Sequence, residues 1–324
     1  MTKHEHDADG PPIALVAGAS RGLGLLIARE LAERGHRLVI CARDESELLR
    51  GAELLKRHGA DVTPRVCDVT DREAVERMVA DVEDKVGPLH TVVTVAGVIH
   101  VGPLESMTEA NFRDSVDIML WGPVNVALSV LPRMRERRSG HIATVTSIGG
   151  LVSVPHLLPY CTAKFGAVGF SQGLSAELAG TGVTSTTIVP GLMRTGGHLH
   201  AQFTGQQTQE YAWFAASGSL PVISMDAERA AAIMVRAVLA GKPTVVLTPL
   251  AKIGARVHGL APATTVRLMG IAQRLLPAPP AEGATGARPG HVVDQRLDSR
   301  LFGTLTKLGQ AAARRFNETT STGL

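Results

Sequence analysis

The fold of this chain is decided by the stretch IALVAGASRGLG, residues 13–24. Its first half is a short apolar run that is typical of a buried parallel strand. Its second half is a glycine-rich turn that opens a helical pattern reaching Arg34. Glycine tolerates unusual backbone angles, and a helix N-terminus presents free amides to a phosphate. The turn at Gly18, Gly22 and Gly24 therefore predicts a nucleotide site, with a purely structural turn as the alternative.

Short apolar strands alternate with amphipathic helices along most of the chain. Strands are predicted at 13–18, 38–41, 62–67, 91–95, 141–146, 183–189 and 244–247, and helices at 22–34, 44–58, 71–86, 109–137, 160–179 and 226–240. This alternation is typical of an α/β fold with a doubly wound parallel sheet and right-handed crossovers. We expect a disordered tail at 1–11, one domain at 12–249, and a C-terminal helical extension at 250–324 with a Pro/Gly-rich linker at 277–290.

Composition narrows the class of protein. The 324 residues are 44% hydrophobic but only 3% aromatic, which predicts a large aliphatic core. A net charge of +3, without a basic run interleaved with aromatics, argues against nucleic-acid binding. Three unspaced cysteines argue against a disulfide framework and a metal site, and they favour a reduced, cytoplasmic location. We expect no signal peptide, and no apolar stretch near the ~18 residues of a membrane span.

A second motif carries candidate chemistry. Tyr160 and Lys164 are one helical turn apart, so the ammonium can lie near the phenol and favour its ionised form. Ser147 stands upstream, at the end of a predicted strand. Tyr-x-x-x-Lys alone is a weak signal, but its order after the glycine turn and the serine makes it specific. We predict that Tyr160 donates or accepts a proton beside Ser147 and Lys164.

Charge near the second strand bears on which nucleotide binds. A site for NAD usually has an acid at the end of this strand, where this chain has Ala42 followed by Arg43. Arg21 and Arg43 can both meet a 2′-phosphate, which favours NADP(H); the alternative is that either arginine faces solvent. Asp68 is expected to accept from the adenine amino group, or to cap the next helix.

Together these motifs resemble the short-chain dehydrogenase/reductase family over about residues 12–248. The shared motifs are Gly18-x-x-x-Gly22-x-Gly24, Asp68-Val69, Ala96-Gly97, Ser147, Tyr160-x-x-x-Lys164, and Pro190-Gly191 with Thr195. The resemblance implies a single Rossmann-type domain, a nicotinamide cofactor and a homo-oligomer. It implies that the serine polarises a carbonyl, the tyrosine passes the proton, and the lysine lowers the tyrosine pKa and binds the ribose. It also implies cofactor contacts along the glycine turn, Ser20 and Leu23 included, and a carboxamide contact from 190–195.

The chain departs from the family pattern in three motifs. Ala17 replaces the usual threonine, and Thr94-Val95-Ala96-Gly97 stands where the family has Asn-Asn-Ala-Gly, so a polar support behind the nicotinamide site is lost. Met119 replaces the asparagine of the family's proton relay, and a thioether cannot organise water as an amide does. Asn125 is too far along the helix to substitute. Two hypotheses follow: an NADP(H)-dependent oxidoreductase, or a catalytically impaired NADP(H)-binding sensor or scaffold.

The substrate is expected to be a bulky apolar carbonyl compound or alcohol. The apolar run 151–159, together with Tyr211, Trp213 and Phe214, predicts a hydrophobic pocket. His156 lies in that run, where it either contacts substrate or is a partly exposed loop residue.

The C-terminal extension leaves two interpretations open. No acidic residue occurs from Arg229 to Ala281, and basic and apolar residues alternate there. Residues 250–276 are expected to contact an anionic membrane surface peripherally, or to pack on the domain or a partner subunit. Residues 301–316 are helical in pattern and are expected to pack across a subunit interface.

Overall fold

The computed structural model describes residues 10–220, 223–280, 286–295 and 300–319. Its strands are β1 Ile13–Ala17, β2 Arg37–Ala42, β3 Val62–Val66, β4 Leu89–Thr94, β5 His100–Val101, β6 Gly140–Val145, β7 Val183–Val189, β8 Met193–Arg194, β9 Gln202–Phe203, β10 Met225–Asp226, β11 Thr244–Val246 and β12 Arg288–Pro289. Its helices are α1 Gly22–Glu33, α2 Glu45–Arg57, α3 Arg72–Lys85, α4 Glu109–Val116, α5 Gly122–Arg137, α6 Leu158–Glu177, α7 Gln207–Ser219, α8 Ala227–Leu239, α9 Pro249–Leu260, α10 Pro262–Gln273, α11 Gly290–Asp294 and α12 Arg300–Arg315.

Within the described residues, seven parallel strands form the central sheet in the order β11-β7-β6-β4-β1-β2-β3. The strand order reverses between β1 and β4, so the carboxyl ends of these strands open a crevice where such folds bind ligands. The predicted doubly wound parallel sheet is confirmed.

Aliphatic side chains on both faces of the sheet form the core. Leu15 faces a cluster that includes Val79 of α3 and Val130 of α5. Val16 faces the opposite cluster, which includes Leu31 of α1 and Met234 of α8. Successive side chains of a strand point to opposite faces, so an unbroken apolar strand is covered by helices on both sides.

The helix predicted at 109–137 is interrupted by a π-helical segment, Asp117–Trp121, between α4 and α5. There Gly122 donates its N–H to Asp117 O, five residues back. Such π segments often mark functional sites.

Among the described residues, the helix Glu109–Arg137 is long and apolar enough to cross a membrane by length and composition. This finding corrects the expectation that the chain has no such stretch. Half of the apolar window of this helix is buried inside the protein.

The C-terminal extension has two parts. The first is the α9–α10 hairpin, in which only Ala251 and Thr265 are buried. The second returns to the domain: β12 pairs antiparallel with β9, and Gly290 N donates to Ala201 O at 2.9 Å. Within the predicted linker, Arg288 and Pro289 therefore pair as a strand, and Gly286 O accepts from Gln207 Nε2 at 2.7 Å. Residues 281–285 of that linker lie outside the described residues.

Helix α12 packs within its own chain, and the predicted contact of residues 301–316 with a second subunit stays a prediction. It lies against α7, and Ala312, Ala313 and Phe316 are buried. The Cβ of Ala313 lies close to Gly196, so the helix approaches the backbone that follows β8. Of the predicted N-terminal tail, residues 1–9 lie outside the described residues.

Candidate active site

Ser147 lies at the carboxyl edge of the sheet, two residues after β6. Its Oγ accepts from Gly149 N at 3.0 Å and so caps the short 3-10 helix Ile148–Gly150. The preceding residue is fixed to the neighbouring strand, since Thr146 Oγ1 donates to Ile188 O at 2.6 Å. Backbone and side-chain bonds therefore hold the hydroxyl of Ser147 in place.

Tyr160 lies in the first turn of α6, and both it and Ser147 line the same cleft. Desolvation in the cleft raises the pKa of Tyr160 to about 12, against the effect of Ser147, which lowers it. The phenol therefore carries its proton at neutral pH.

Lys164 lies one helical turn further along α6 and is buried, with 5% of its surface exposed. Its Nζ donates to Val145 O at 2.8 Å and lies 5.8 Å from the centre of the Tyr160 ring. Desolvation lowers its pKa to about 8. The expected lowering of the Tyr160 pKa by Lys164 is not the dominant effect in this arrangement, because burial acts more strongly and the ammonium is bonded to Val145.

Met119 occupies the relay position of the family pattern, within the π-helical segment. Its side chain is 1% exposed and packs with Tyr160 and Ala163. Asn125 lies elsewhere, because its Nδ2 donates to Val69 O at 2.9 Å and holds the loop after β3. The surroundings of Met119 are apolar, and Asn125 does not reach Tyr160.

The glycine turn is built around close backbone approaches. Gly18 has φ +87°, its N–H donates to Cys41 O at 2.8 Å, and a Cβ there would overlap Ala96 N. A Cβ on Gly24 would overlap Gly18 O, and one on Gly22, at φ +54°, would overlap Glu318 Oε1. Close backbone approaches therefore require glycine at 18 and 24, and the left-handed backbone favours it at 22, so the turn is tight enough to present helix N-terminal amides to a phosphate.

A cleft of about 590 Å³ joins the glycine turn to Tyr160. It is lined by all three predicted catalytic residues and by every predicted cofactor residue except Gly22: Ser147, Tyr160, Lys164, Gly18, Ser20, Arg21, Leu23, Gly24, Arg43, Asp68, Val69, Ala96, Gly97, Pro190, Gly191 and Thr195. Residues spread over most of the sequence thus share one site.

The two arginines predicted to meet a 2′-phosphate differ in their surroundings. Arg43 is exposed and has no hydrogen-bond or ion-pair partner among the described residues. Arg21 is paired with Glu47 and, at 3.2 Å, with Glu318. Glu47 also accepts from Ser20 Oγ at 2.8 Å. Sequence reasoning missed this acid because it examined the end of β2, whereas Glu47 comes from the first turn of α2.

Asp68 is not a helix cap. Its Oδ1 accepts from Thr70 N and Oγ1, both at 2.9 Å, while the cap of α3 is Asp71, which accepts from Ala74 N at 3.0 Å. The capping alternative for Asp68 is therefore wrong. The contact with adenine stays a prediction; Asp68 lines the cleft, as that contact would require.

The predicted carboxamide contacts follow β7. Pro190 O accepts from Ile148 N at 2.8 Å, which ties this loop to the turn after Ser147. A Cβ on Gly191 would overlap Thr248 Oγ1, so glycine here lets the loop lie close to the N-cap of helix α9. Thr195 Oγ1 accepts from Gly197 N at 3.3 Å.

The aromatic residues predicted to line a substrate pocket lie in a separate cluster. Tyr211 is fully buried, packs edge-on against Phe203 and donates to Asp294 Oδ1 at 2.8 Å. Trp213 and Phe214 pack against the same cluster, and none of the predicted three lines the cleft. The apolar cleft wall near Tyr160 comes instead from Val98, Ile99, Ile118 and Met119.

His156 is buried rather than partly exposed. It adopts a left-handed backbone with φ +63°, and its Nδ1 lies 2.8 Å from Glu210 Oε1. Glu210 is fully buried and also accepts from Trp213 Nε1 at 2.7 Å. This buried pair therefore links the loop after Ser147 to helix α7, and neither residue lines the cleft.

Comparison with known proteins identifies the family. A family model described as short chain dehydrogenase matches residues 12–202. This chain belongs to the short-chain dehydrogenase family. As a member of it, the chain is an oxidoreductase that uses a nicotinamide cofactor to interconvert carbonyl and alcohol groups.

Among short-chain dehydrogenases, the chain is similar to a protein of Streptomyces coelicolor provisionally named a ketoacyl reductase. The two are 37% identical over 185 residues, which are 56% of this chain and 71% of that protein. It is also 34% identical over 185 residues to 17-beta-hydroxysteroid dehydrogenase 13 of Rattus norvegicus, covering 56% of this chain and 62% of the relative, less than two thirds of its length.

Solved structures of short-chain dehydrogenases share the fold. A single-residue variant of actinorhodin polyketide ketoreductase, crystallised with NADPH, is 29% identical, with a TM-score of 0.63 over 73% of this chain and 95% of that one. A short-chain dehydrogenase from Streptomyces avermitilis is 27% identical, with a TM-score of 0.68 over 81% of this chain and 98% of that one. The family model ends at residue 202, so helices α7 to α12 lie beyond the matched segment.

Proposed function

We propose that this short-chain dehydrogenase is an NADP(H)-dependent oxidoreductase that interconverts a bulky apolar ketone and its alcohol. The observation that carries the proposal is the single cleft in which Ser147, Tyr160 and Lys164 meet at one end and the glycine turn opens at the other. A phosphate-binding turn and a proton-donating phenol in one cleft are what hydride transfer to a carbonyl requires.

The residues of this chain supply the proton and the hydrogen bonds to the carbonyl oxygen. A bound nicotinamide would supply the hydride in reduction and accept it in oxidation. In reduction the Ser147 hydroxyl donates to the carbonyl oxygen, and Tyr160 transfers its proton to that oxygen as the carbon gains the hydride. General acid catalysis of this kind contributes about 10²–10⁴-fold to the rate. The Lys164 ammonium, kept at the carboxyl end of β6 by Val145 O, stabilises the phenolate that remains.

NADP(H) is proposed over NAD(H) because of the cation at the end of β2. Arg43 is exposed, lines the cleft and has no partner among the described residues, so it is available to a 2′-phosphate. The polyketide ketoreductase with a similar fold was crystallised with NADPH. Asp68, Val69, Ala96 and Gly97 would contact the adenine and ribose side of the cofactor, and Pro190, Gly191 and Thr195 its carboxamide.

An apolar substrate is proposed from the cleft wall beside Tyr160. Val98, Ile99, Ile118 and Met119 line it, and the relatives are named for ketoacyl and steroid substrates. The test follows NADPH consumption by the purified protein with a panel of apolar ketones. Tyr160→Phe should remove the activity, while Tyr211→Phe, which changes the chain's other tyrosine outside the cleft, should retain it. Equal rates in all three proteins would overturn the proposal.

A second function is supported by Met119. Its thioether stands where the family pattern has the relay asparagine, which fits a catalytically impaired NADP(H)-binding sensor or scaffold. NADPH binding without turnover of any ketone in the panel would support this function and contradict the first.

Peripheral membrane contact at the cytoplasmic face is proposed for the α9–α10 hairpin. Its apolar side chains are exposed: Leu250, Ile253, Val257, Leu260, Val266, Leu268, Ile271 and Leu275. Lys252, Arg256, Arg267 and Arg274 lie among them without any acidic residue, which suits an anionic lipid surface. A Cβ on Gly254 would lie 4.0 Å from Ile148 Cδ1, so the hairpin adjoins the turn after Ser147. An apolar substrate dissolved in lipid would thus enter close to the site.

Vesicle flotation tests the membrane contact. The full chain should bind vesicles of anionic lipid and not of zwitterionic lipid, and Leu260→Ser with Leu275→Ser should lose that binding. Leu104→Ser, which changes an exposed leucine elsewhere, is the control. A hairpin that instead joins two copies of the chain, with no vesicle binding, would overturn this proposal. The homo-oligomer implied by the family resemblance stays a prediction, which sedimentation of the same proteins tests.

A further inference from the structure

The C-terminal segment Phe316–Glu318 closes over the glycine turn. Gly22 N donates to Phe316 O at 2.8 Å, which takes one of the amides at the N-terminus of α1. Asn317 has φ +59° and turns the chain after α12, and its Nδ2 donates to Ser20 O at 2.8 Å. The segment is thus bound to the backbone that is proposed to hold the cofactor's phosphates.

Glu318 places its side chain in the cleft. It is 6% exposed, and its backbone carbonyl accepts from His200 Nε2 at 2.8 Å. Its Oε2 lies 3.2 Å from both Arg21 Nε and His200 Nε2, yet it has no hydrogen bond of good geometry among the described residues. Desolvation raises the pKa of Glu318 to about 8; Arg21 lowers the pKa and Glu47 raises it further. This carboxyl group is therefore buried beside a cation without being well satisfied.

The Arg21 guanidinium therefore lies between two acid side chains, Glu47 on one side and Glu318 on the other. With a pKa of about 8, Glu318 is mostly protonated near neutral pH, so it occupies the space beside Arg21 mainly as a neutral carboxyl group. A 2′-phosphate carries about −1.5 to −2 charge near neutral pH and would compete with both for this guanidinium. A cofactor without that phosphate has an uncharged ribose hydroxyl at this position, which does not compete with the two acids for the guanidinium. The arrangement around Arg21 therefore affects the two cofactors differently.

We infer that Glu318 is a specificity-determining residue, which occupies Arg21 and so weakens binding of a 2′-phosphate relative to a ribose hydroxyl. The inference rests on the proposed nicotinamide-dependent function. Arg43 is then the guanidinium that chiefly binds the 2′-phosphate, and the preference for NADP(H) is smaller than two free arginines would give. The same contact explains why Gly22 is the one predicted cofactor residue that does not line the cleft, since the C-terminal segment covers it.

Binding constants test the inference without any need for turnover. Dissociation constants for NADPH and NADH are measured by calorimetry on the full chain, on Glu318→Ala and on Glu228→Gln. Glu228 pairs with Arg29 and Arg315 outside the cleft, so its variant is the matched control. Glu318→Ala should lower the dissociation constant for NADPH about tenfold, which corresponds to one charge-assisted contact, and leave that for NADH unchanged. Glu228→Gln should change neither dissociation constant.

A double-mutant cycle locates the effect at Arg21. In an Arg21→Gln background, Glu318→Ala should no longer tighten NADPH, because the guanidinium that it frees is absent. The alanine variant could loosen the segment Phe316–Glu318, so Glu318→Gln, which keeps the shape of the side chain, is measured as well. It should lower the dissociation constant for NADPH by a smaller factor. Equal changes for both cofactors, weaker NADPH binding, or an unchanged gain without Arg21 would each overturn the inference. A wild-type chain that binds neither cofactor would overturn the proposed function itself.

Discussion

The Nζ of Lys164 donates to the backbone carbonyl of Val145 at 2.8 Å. This bond keeps the ammonium at the end of β6, on the floor of the cleft, with the ring of Tyr160 5.8 Å away. Desolvation then decides the state of the phenol, since it raises the pKa of Tyr160 to about 12. Tyr160 therefore keeps its proton at neutral pH, as its proposed role of proton donor in carbonyl reduction requires.

Carbonyl reduction should depend on pH through Lys164. Tyr160 keeps its proton across pH 6–9, because its pKa is about 12. Lys164 has a pKa lowered by desolvation to about 8, so it loses its charge as the pH rises through that value. We expect kcat/KM for ketone reduction to be flat below pH 7 and to fall above pH 8. Lys164→Arg should move the fall to higher pH; a wild-type rate that rises through pH 8 would contradict this account.

Met119→Asn should raise kcat if the relay limits turnover. The change places an amide next to Tyr160 in an apolar site, where an unsatisfied group costs about 1–3 kcal/mol of the free energy of unfolding. Steady-state kinetics and thermal unfolding would measure both effects. Met119→Leu keeps the site apolar and serves as the control, with kcat unchanged. A lower kcat in the asparagine variant would show that the thioether is not a defect.

Arg43→Gln should weaken NADPH binding by about tenfold or more, the worth of one charge-assisted contact, and leave NADH binding unchanged. The reason is that Arg43 is exposed at the cleft with no competing partner among the described residues. Arg57→Gln, at the far end of α2, is the control. Fluorescence titration of both cofactors measures the ratio, and a parallel loss of NADH affinity would argue against a 2′-phosphate contact.

Glu318 should make the fold less stable as the pH rises. Its pKa is 4.5 in an unfolded chain and about 8 when buried, so between these values the folded state binds more protons than the unfolded state. The free energy of unfolding therefore falls across pH 4.5–8, by an amount on the order of 5 kcal/mol at most. Urea denaturation at several pH values should show this fall in the wild type and less of it in Glu318→Gln. Identical pH profiles for the two proteins would exclude this contribution.

Local sequence patterns predicted most of the fold and the catalytic end of the site. The strand and turn at 13–24, the serine after β6 and the Tyr160–Lys164 pair are each encoded within a few residues, so their placement follows from secondary structure. The alternation of short apolar runs with amphipathic helical patterns likewise predicted all seven strands of the central sheet.

Long-range contacts produced the parts that the sequence did not predict. Asn317 contacts Ser20 across 297 positions, and His156 is buried by Glu210 across 54 positions. No local pattern shows that α12 returns to the glycine turn, because an amphipathic helix can cover its own domain or a partner equally well. The aromatic residues of α7 were misplaced for the same reason, since periodicity does not show which cavity an apolar face covers.

The most direct test of the central claim is label transfer from NADPH deuterated at the nicotinamide C4 to the carbonyl carbon of an apolar ketone. Mass spectrometry of the alcohol would measure it for the wild type, Tyr160→Phe and Tyr211→Phe. The account predicts deuterated alcohol from the wild type and Tyr211→Phe, and at least about 10²-fold less from Tyr160→Phe. Equal deuterium transfer by the wild type and Tyr160→Phe would contradict the role of Tyr160 as the proton donor.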